Sequence, residues 1–253
     1  MSGRLDGRVA VVTGGSRGIG AGIAAALAAE GARVAISGRT ESTLAKTAEE
    51  IGALAVVADA SDADSAREPV RRAISEFGKI DILVNNVGGN GGGNPDLFRG
   101  DDFSFEAAVV LNLTSAFWSS RAAITSMREH GYGRIINIGS GASKHAAASA
   151  GYTAAKHGLI GLTKQLAQDL ARHGITVNCV CPGWTNTDLV SFADIGKRSG
   201  VEEDVARSRA EAESAQQRIL EPGELGPMSV LLASPDGAAI TGQVIGVDGG
   251  YRL

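Results

Sequence analysis

Residues 8–28 read RVAVVTGGSRGIGAGIAAALA, and this stretch decides the fold of the chain. Its first part, residues 8–12, is a short valine-rich apolar run that predicts a buried β-strand. Residues 21–28 have the composition of a helix, and residues 13–20 between them form a glycine-rich turn. The stretch therefore predicts a strand, a tight turn and the start of a helix.

The glycine-rich turn suits a phosphate group. Glycines let backbone N–H groups approach a pyrophosphate without obstruction, and the positive end of the following helix dipole favours an anion. The glycines fall at Gly14, Gly18 and Gly20, which departs from the G-x-G-x-x-G spacing of the usual dinucleotide fingerprint. A tight strand-to-helix connection without a ligand is the structural alternative, but the position directly after the first strand favours phosphate binding.

Further strand-like runs follow the first one along the chain. They cover residues 34–37, 53–58, 82–85, 134–138, 176–180 and 243–247. Helical stretches lie between the runs, and this alternation predicts parallel strands joined by right-handed crossovers, with helices on both faces of the sheet. We therefore expect a single α/β domain over residues 1–253, a doubly wound Rossmann-type parallel sheet, with its ligand beyond the carboxyl ends of the strands.

Length, composition and charge limit the partners of the chain. Its 253 residues, 43% of them hydrophobic, are enough to bury a sizeable core in one α/β domain. The formal net charge is -4 and charges of both signs are interleaved, so there is no basic stripe for nucleic acid or for an anionic membrane. Residues 1–7 have no apolar signal core, and no segment approaches the roughly 18 apolar residues of a membrane span. We expect a cytoplasmic protein.

The cysteines and histidines do not predict a metal site. Cys179 and Cys181 are the two cysteines of the chain, and they flank Val180 in a strand-like run where alternate side chains point the same way. The four histidines show no ligand spacing with them. We interpret both cysteines as reduced packing residues and expect no bound metal.

Tyr152 and Lys156 form the most informative pair of side chains. On a helix their spacing puts a phenol and an ammonium on one face. A free phenol is a poor acid or base at neutral pH, but a fixed positive charge beside it stabilises the phenolate and lowers its pKa. The alternative is an aromatic core residue next to a solvated amine.

A set of motifs gives the sequence its family resemblance. They are Thr13-Gly14-x-x-x-Gly18-Ile19-Gly20, Asn85-Asn86-Val87-Gly88, Asn112, Ser140, Tyr152-x-x-x-Lys156, Pro182-Gly183 and the carboxyl-terminal run of residues 241–250. In order and near-spacing the chain resembles the short-chain dehydrogenases and reductases over essentially its whole length, and among them the 3-oxoacyl-thioester reductases. The resemblance implies an NADP- or NAD-dependent oxidoreductase acting on carbonyl or CH–OH groups.

The resemblance also implies a catalytic set. Tyr152 transfers the proton at the substrate oxygen, and Ser140 polarises the carbonyl. Lys156 lowers the pKa of the tyrosine and holds the nicotinamide ribose, and Asn112 supports a water that links this lysine to solvent. Two alternatives stay open: Asn112 interrupts a helix for structural reasons, and Ser143 takes the role of Ser140, since Ser140 precedes Tyr152 by about one position fewer than is common in the family.

The cofactor site implied by the resemblance is spread over the strand ends. Asp59 and Ala60 lie near the adenine, and Asp59 is alternatively a helix cap. Thr185 and Thr187 donate to the carboxamide or the pyrophosphate. The full implied set is Gly14, Ser16, Arg17, Gly18, Ile19, Gly20, Arg39, Asp59, Ala60, Asn86, Gly88, Tyr152, Lys156, Pro182, Gly183, Thr185 and Thr187.

The choice of cofactor is predicted at the end of the second strand. NAD-specific dinucleotide folds place Asp or Glu there against the ribose hydroxyls, whereas this chain has Ser37-Gly38-Arg39. Without a carboxylate to repel a 2'-phosphate, and with Arg39 and Arg17 as donors, NADP is favoured over NAD. Alternatively, both arginines simply face solvent.

Two segments are candidates for contact with the substrate. The glycine-rich loop of residues 88–95 either admits a bulky substrate or is a plain surface connection, and residues 188–220 resemble the mobile helical lid of the family. Trp184 and His145 are equally well explained as pocket walls or as packing residues. For the substrate we expect a 3-oxoacyl thioester first, and a cyclic alcohol, steroid or sugar second.

Other classes of function and the assembly state are also weighed. A nucleotide-binding sensor without turnover is disfavoured because Tyr152 and Lys156 are both present, and a sugar-nucleotide epimerase is disfavoured by the length of the chain. The resemblance implies a homotetramer in which the helix of Tyr152, with Leu162, Leu166 and Leu170, and the helix of Phe117 and Trp118 pair between subunits.

Overall fold

The computed structural model describes residues 3–89, 91, 92, 94, 96–98 and 100–253. These residues form one seven-stranded parallel sheet with the order β3-β2-β1-β4-β5-β6-β7. The strands are β1 Val9–Val12, β2 Arg33–Gly38, β3 Leu54–Val57, β4 Ile82–Asn85, β5 Gly133–Ile138, β6 Ile175–Pro182 and β7 Val244–Val247. The doubly wound parallel sheet predicted from the sequence is confirmed.

Helices cover both faces of this sheet. They are α1 Gly18–Ala29, α2 Glu41–Ile51, α3 Ala63–Phe77, α4 Asp102–Val109, α5 Ser115–Glu129, α6 Ala150–Leu170, α7 Phe192–Ser199, α8 Glu203–Ala212 and α9 Gly226–Ala233. Successive side chains of β1 point to opposite faces, so Ala10 and Val12 belong to one apolar core and Val9 and Val11 to the other. Both cores are apolar because a parallel sheet is buried on both faces.

The order of the strands reverses at β1. From β1 the chain moves outward through β2 and β3, then returns to place β4 on the other side of β1, with Val12 paired to Ile36 and to Val84. The loops that leave β1 and β4 therefore separate to opposite faces and open a crevice at the carboxyl ends of these strands. This topological switch point is where doubly wound sheets bind their ligands.

The segment of residues 188–220 folds apart from the two main cores. Phe192, Ala210 and Ile219 form a small apolar cluster of their own, with Trp184 and Ile195 packed against it. Within the loop of residues 88–95, Asn90, Gly93 and Pro95 lie outside the described residues. In the described chain, no helix is long and apolar enough to cross a bilayer. The described residues also contain no cluster of three or more His, Cys, Asp or Glu side chains that could hold a metal ion.

Candidate active site

A cavity of about 1100 Å³ lies at the carboxyl ends of the strands. Its wall contains nearly every residue that the sequence implicated: Gly14, Ser16, Arg17, Gly18, Ile19, Gly20, Arg39, Asp59, Ala60, Asn86, Gly88, Ser140, Tyr152, Lys156, Pro182, Gly183, Thr185 and Thr187. Asn112 is not in the wall but lies behind it. The fold therefore gathers residues from distant parts of the sequence around one space.

The turn between β1 and α1 requires its glycines. Gly14 and Gly18 have φ of 64° and 54°, in the left-handed region that side chains disfavour. A Cβ on Gly20 would lie 2.3 Å from the carbonyl oxygen of Gly14, which no other residue tolerates. Arg17 precedes α1 without a side-chain hydrogen bond that caps it, so the first N–H groups of the helix stay available to an anion. This cradle fits a pyrophosphate.

Asn86 fixes the glycine turn to the end of β4. Its Nδ2 donates to the carbonyl oxygens of Thr13 and Gly14, both at 3.0 Å, and its backbone N–H donates to the Thr13 hydroxyl at 3.1 Å. The side-chain amide is therefore engaged in holding the turn. Asn86 lies in the cavity wall, as a residue beside a cofactor would. Its hydrogen bonds to Thr13 and Gly14, however, are those of a residue that positions the turn.

The end of β2 has Gly38 and no carboxylate at the place where an NAD-specific fold has Asp or Glu. A Cβ on Gly38 would come within 2.9 Å of the Ser16 hydroxyl, and the Arg39 side chain is exposed at the rim. Arg17 pairs with Asp188 at 3.3 Å, with both side chains largely in solvent. Such an exposed pair is worth little and exchanges readily for another anion.

For Asp59 the sequence left open a place near the adenine and the role of a helix cap, and the structure gives the cap to Asp62. The Asp59 carboxylate accepts hydrogen bonds from the backbone N–H and the hydroxyl of Ser61, and these lower the pKa of Asp59. The cap of α3 is Asp62, which accepts from the backbone N–H of Ser65 at 2.8 Å. Asp59 therefore shapes the loop at the cavity and does not cap the helix.

Tyr152 and Lys156 lie on α6 as their spacing predicts. Ser149 caps this helix by accepting from the Tyr152 backbone N–H at 3.2 Å. Lys156 is only 3% exposed, its Nζ donates to the carbonyl oxygen of Ile138 at 2.8 Å, and it lies 5.7 Å from the centre of the Tyr152 ring. Burial of an ammonium is costly unless its donors are used. The buried position therefore excludes a solvated amine, and Lys156 lines the cavity with donors that the Ile138 carbonyl oxygen does not use.

Asn112 occupies an irregular turn between two helices. Residues Val110–Thr114 form one π-helical turn between α4 and α5. The Asn112 side chain donates to the carbonyl oxygens of Gly89 at 2.6 Å and Ala108 at 2.8 Å, and accepts from the Gly89 N–H at 3.0 Å. A Cβ on Gly88 would lie 2.8 Å from Asn112 Oδ1 and 3.2 Å from Lys156 Nζ. These two polar atoms therefore lie on either side of the same position next to Gly88. Both the structural role and the proximity to the lysine are present.

Ser140 and Ser143 differ in their access to the cavity. Ser140 lies in the cavity wall, and its hydroxyl accepts from the Ala142 N–H at 3.1 Å. Ser143 is 1% exposed, and its hydroxyl accepts from the Ser140 N–H at 3.2 Å. Ser143 therefore supports the turn that presents Ser140. Cys179 and Cys181 lie buried behind this turn as free thiols, with their sulfur atoms 3.8 Å apart.

Several wall residues were not predicted from the sequence. Among them are Ala142, Ala147, Ala148 and Tyr251, whereas Leu189, Val190 and Ile195 belong to the segment of residues 188–220 that the sequence named as a candidate for substrate contact. Ala148 has φ of 60°, which is unusual for a residue with a side chain. Trp184 is in the wall, whereas His145 packs edge-on against the Tyr251 ring at 5.9 Å. These residues carry no local motif, because their place in the wall depends on tertiary contacts.

Comparison with known proteins gives one consistent family. Residues 8–197 match the family model described as short chain dehydrogenase. The chain is 36% identical to D-beta-hydroxybutyrate dehydrogenase of Cupriavidus necator, with 98% of each chain covered. It is 36% identical to 3-oxoacyl-[acyl-carrier-protein] reductase of Vibrio cholerae, covering 98% of this chain and 99% of the relative. A substituted form of actinorhodin polyketide ketoreductase, solved with NADPH, superposes with a TM-score of 0.91 at 35% identity, covering 100% and 99% of the two chains.

Proposed function

We propose that this chain, which belongs to the short chain dehydrogenase family, reduces a ketone to a secondary alcohol with NADPH, and that Tyr152 supplies the proton. Oxidoreductase chemistry with NAD or NADP follows from membership of the family. The observation that carries the proposal is the convergence of Ser140, Tyr152 and Lys156 on the cavity that also contains the glycine turn. The phosphate cradle and the acid–base groups thus share one space.

Different parts of the wall have different tasks in this proposal. The glycine turn and the start of α1 hold the pyrophosphate, and Pro182, Gly183, Thr185 and Thr187 flank the nicotinamide. When bound, the cofactor supplies the hydride for the carbonyl carbon. The free donors of Lys156 hold the ribose hydroxyls beside it.

The proton and the carbonyl polarisation come from the chain itself. The Ser140 hydroxyl, presented by the turn that Ser143 supports, donates to the substrate oxygen. Tyr152 gives its hydroxyl proton to that oxygen as negative charge develops on it, and the Lys156 ammonium lies 5.7 Å from the centre of the tyrosine ring. Asn112 holds the backbone at Gly89 and lies beside the lysine, where it supports a water that returns a proton.

NADP is preferred over NAD in this proposal. The support is the open end of β2, where Gly38 leaves room and Arg39 is free to meet a 2'-phosphate, and where the Arg17 pair with Asp188 exchanges easily. A structural relative solved with NADPH gives independent support.

For the substrate, we propose a 3-oxoacyl thioester. The relatives include a reductase named for that reaction and a polyketide ketoreductase. The cavity has apolar wall residues such as Val190 and Ile195 on and before α7, which suit an acyl chain. We further propose that α7 and α8 act as a lid and that the α5 and α6 faces pair in a homotetramer.

The proposal is tested by measuring whether the hydride of NADPH is transferred to the substrate. Purified protein is incubated with NADPH deuterated at both C4 positions of the nicotinamide and with acetoacetyl or 3-oxooctanoyl thioesters of N-acetylcysteamine, and the alcohol is analysed by mass spectrometry. We expect one deuterium in the product for each NADPH oxidised. Oxidation of NADPH without deuterium in an alcohol, or no reaction with thioesters and with cyclic ketones alike, contradicts the proposal; reaction with cyclic ketones alone corrects the substrate class.

A further inference from the structure

The last residues of the chain form part of the cavity wall. Tyr251 is in the wall and is 8% exposed, and its backbone forms an antiparallel bridge with Ser214, just after α8. The Arg252 N–H donates to the carbonyl oxygen of Glu213 at 2.9 Å, and the Ala215 N–H donates to that of Gly250 at 3.1 Å. Backbone hydrogen bonds therefore fix the tail in place.

The Tyr251 ring packs directly on the turn that presents Ser140. A Cβ on Gly141, the next residue, would lie 2.4 Å from Cε1 and 2.8 Å from Cδ1 of the ring. The ring also contacts His145 from the same turn. No side chain fits between the ring and Gly141, so the position of Tyr251 determines how much space lies beside Ser140.

Glu213 joins the tail to a second aromatic residue. Its carboxylate accepts from Trp184 Nε1 at 2.7 Å and from Arg252 Nη2. Burial of the carboxyl opposes its ionisation, but the hydrogen bonds from Arg252 and Trp184 outweigh burial, and the pKa of Glu213 is lowered. The charged carboxylate therefore holds Trp184 and the tail together.

Trp184 continues this connection to the lid. Its ring lies in the cavity wall and packs on Phe192, the first residue of α7, with the ring centres 6.1 Å apart. A continuous set of contacts thus runs from the turn of Ser140 through Tyr251, Glu213 and Trp184 to α7. None of these residues belongs to the acid–base set.

We propose that Tyr251 is a specificity-determining residue, which with Trp184 forms an aromatic wall that limits the group attached to the substrate carbonyl. Glu213 is the positioning residue that binds Trp184 directly and holds the tail of Tyr251 through Arg252. The inference rests on the proposed function, because a wall beside Ser140 selects substrates only if Ser140 binds the carbonyl. Ala142 and Ala147 line the same end of the cavity, so the wall favours an apolar group next to the carbonyl.

Size preference tests this assignment. The probes are a small and a large thioester, acetoacetyl and 3-oxooctanoyl N-acetylcysteamine, and a small and a large cyclic ketone, cyclohexanone and 1-decalone. For each probe, kcat/KM is measured with NADPH, and Kd is measured by calorimetry in the complex with NADP+. We expect Tyr251→Ala to shift the ratio of large to small probe by about tenfold in favour of the large one, since contact with the small probe is lost and space is gained.

Three further variants serve as comparisons for Tyr251→Ala. Tyr251→Leu fills more of the space, should shift the ratio in the same direction by less, and serves if the alanine variant does not fold. Leu253→Ala, in the same tail but fully exposed, should keep the wild-type ratio. Glu213→Gln should raise KM and Kd for the small probes while the affinity for NADPH stays within twofold.

The outcomes distinguish a failure of the Tyr251 assignment from a failure of the proposed reductase function. A folded Tyr251→Leu protein with the wild-type ratio in both kcat/KM and Kd overturns the assignment. If the wild-type protein binds the probes but does not oxidise NADPH, the proposed function fails while the Kd ratios still decide about the wall. If the wild-type protein binds none of the probes, the assignment is overturned as well.

Discussion

The amino and carboxyl ends of the same parallel sheet use charged side chains in opposite ways. At the amino end, Asp81 is fully buried and accepts from the Val9 N–H at 2.9 Å, from Arg8 at 3.1 Å and from Lys79 at 2.9 Å. At the carboxyl end, Lys156 is equally buried but its nearest acceptor is one backbone carbonyl oxygen, and its other donors face a cavity. Asp81 is thus paired within the protein, whereas Lys156 has donors that face the cavity.

The aromatic residues repeat this contrast. Tyr132, at the amino end, is held between Arg8, 3.4 Å from its ring centre, and Arg134, at 4.1 Å, and its hydroxyl donates to the Ala233 carbonyl oxygen at 2.7 Å. Burial raises the pKa of Tyr132. Tyr152, at the carboxyl end, is half-buried in the cavity wall. Tyr132 is thus engaged by contacts within the protein, whereas Tyr152 lines the cavity.

The largest expected effect separates activity from stability at the carboxyl end. Tyr152→Phe keeps the ring and removes the proton donor, so we expect kcat to fall by about a thousandfold, equivalent to roughly 4 kcal/mol in the activation free energy. NADPH affinity should stay within about twofold and the free energy of unfolding within about 0.5 kcal/mol. Steady-state kinetics, cofactor titration and urea denaturation measure the three quantities. A loss of stability comparable to the loss of activity would remove the contrast between the two ends.

The second prediction tests the amino end. Asp81→Asn leaves Arg8 and Lys79 without their carboxylate, and we expect a loss of about 2–3 kcal/mol in the free energy of unfolding, since both cations are partly exposed. The kcat of the folded enzyme should be unchanged. Asp64→Asn is the matched control, because Asp64 pairs with Arg67 at 3.2 Å in an exposed position and should contribute less than about 0.5 kcal/mol. Equal destabilisation by the two changes would refute the role of the buried cluster.

The third prediction concerns Arg39 at the carboxyl end of the sheet. Replacing Gly38 with Asp and Arg39 with Ser adds a carboxylate at the end of β2 and removes a donor. We expect the ratio of kcat/KM for NADPH to that for NADH to fall by roughly 30-fold, about 2 kcal/mol. Gly38→Ala with Arg39 retained is the control for the close approach to the Ser16 hydroxyl. An unchanged ratio in the double variant would mean that Arg39 only faces solvent.

The sequence was sufficient for the sheet and for most of the cavity wall. Every predicted strand is present, because buried parallel strands are continuous apolar runs that need no partner to be recognised. The residues implied for the cofactor gather at one cavity because they directly follow strands that end at the same edge, as Asn86 follows β4 and Ser140 follows β5. Their individual roles remain predictions.

The substrate end of the cavity was not predictable in the same way. The Tyr251 ring packs on Gly141, which lies 110 positions earlier in the chain, and Trp184 donates a hydrogen bond to Glu213, a contact that no sequence motif predicts. The sequence favoured Ser140 and left Ser143 as the alternative, and the burial of Ser143 and the place of Ser140 in the cavity wall agree with that preference. Local periodicity in the sequence identifies helices and strands. The positions of these residues in the cavity wall depend instead on how the loops pack on each other.

The smallest expected effect concerns backbone strain at the carboxyl end. Ala148 keeps φ of 60° in the cavity wall because its neighbour Ala147 is held to the Thr153 hydroxyl by two hydrogen bonds, at 3.2 and 2.6 Å. Glycine adopts this conformation without strain but loses more chain entropy on folding, so Ala148→Gly should raise the free energy of unfolding by only about 0.5 kcal/mol. Ala147→Gly, at ordinary φ, should instead lower it by about 0.5–1 kcal/mol. Urea denaturation of both variants gives the comparison, and an equal loss in both would mean that position 148 stores no strain for the site.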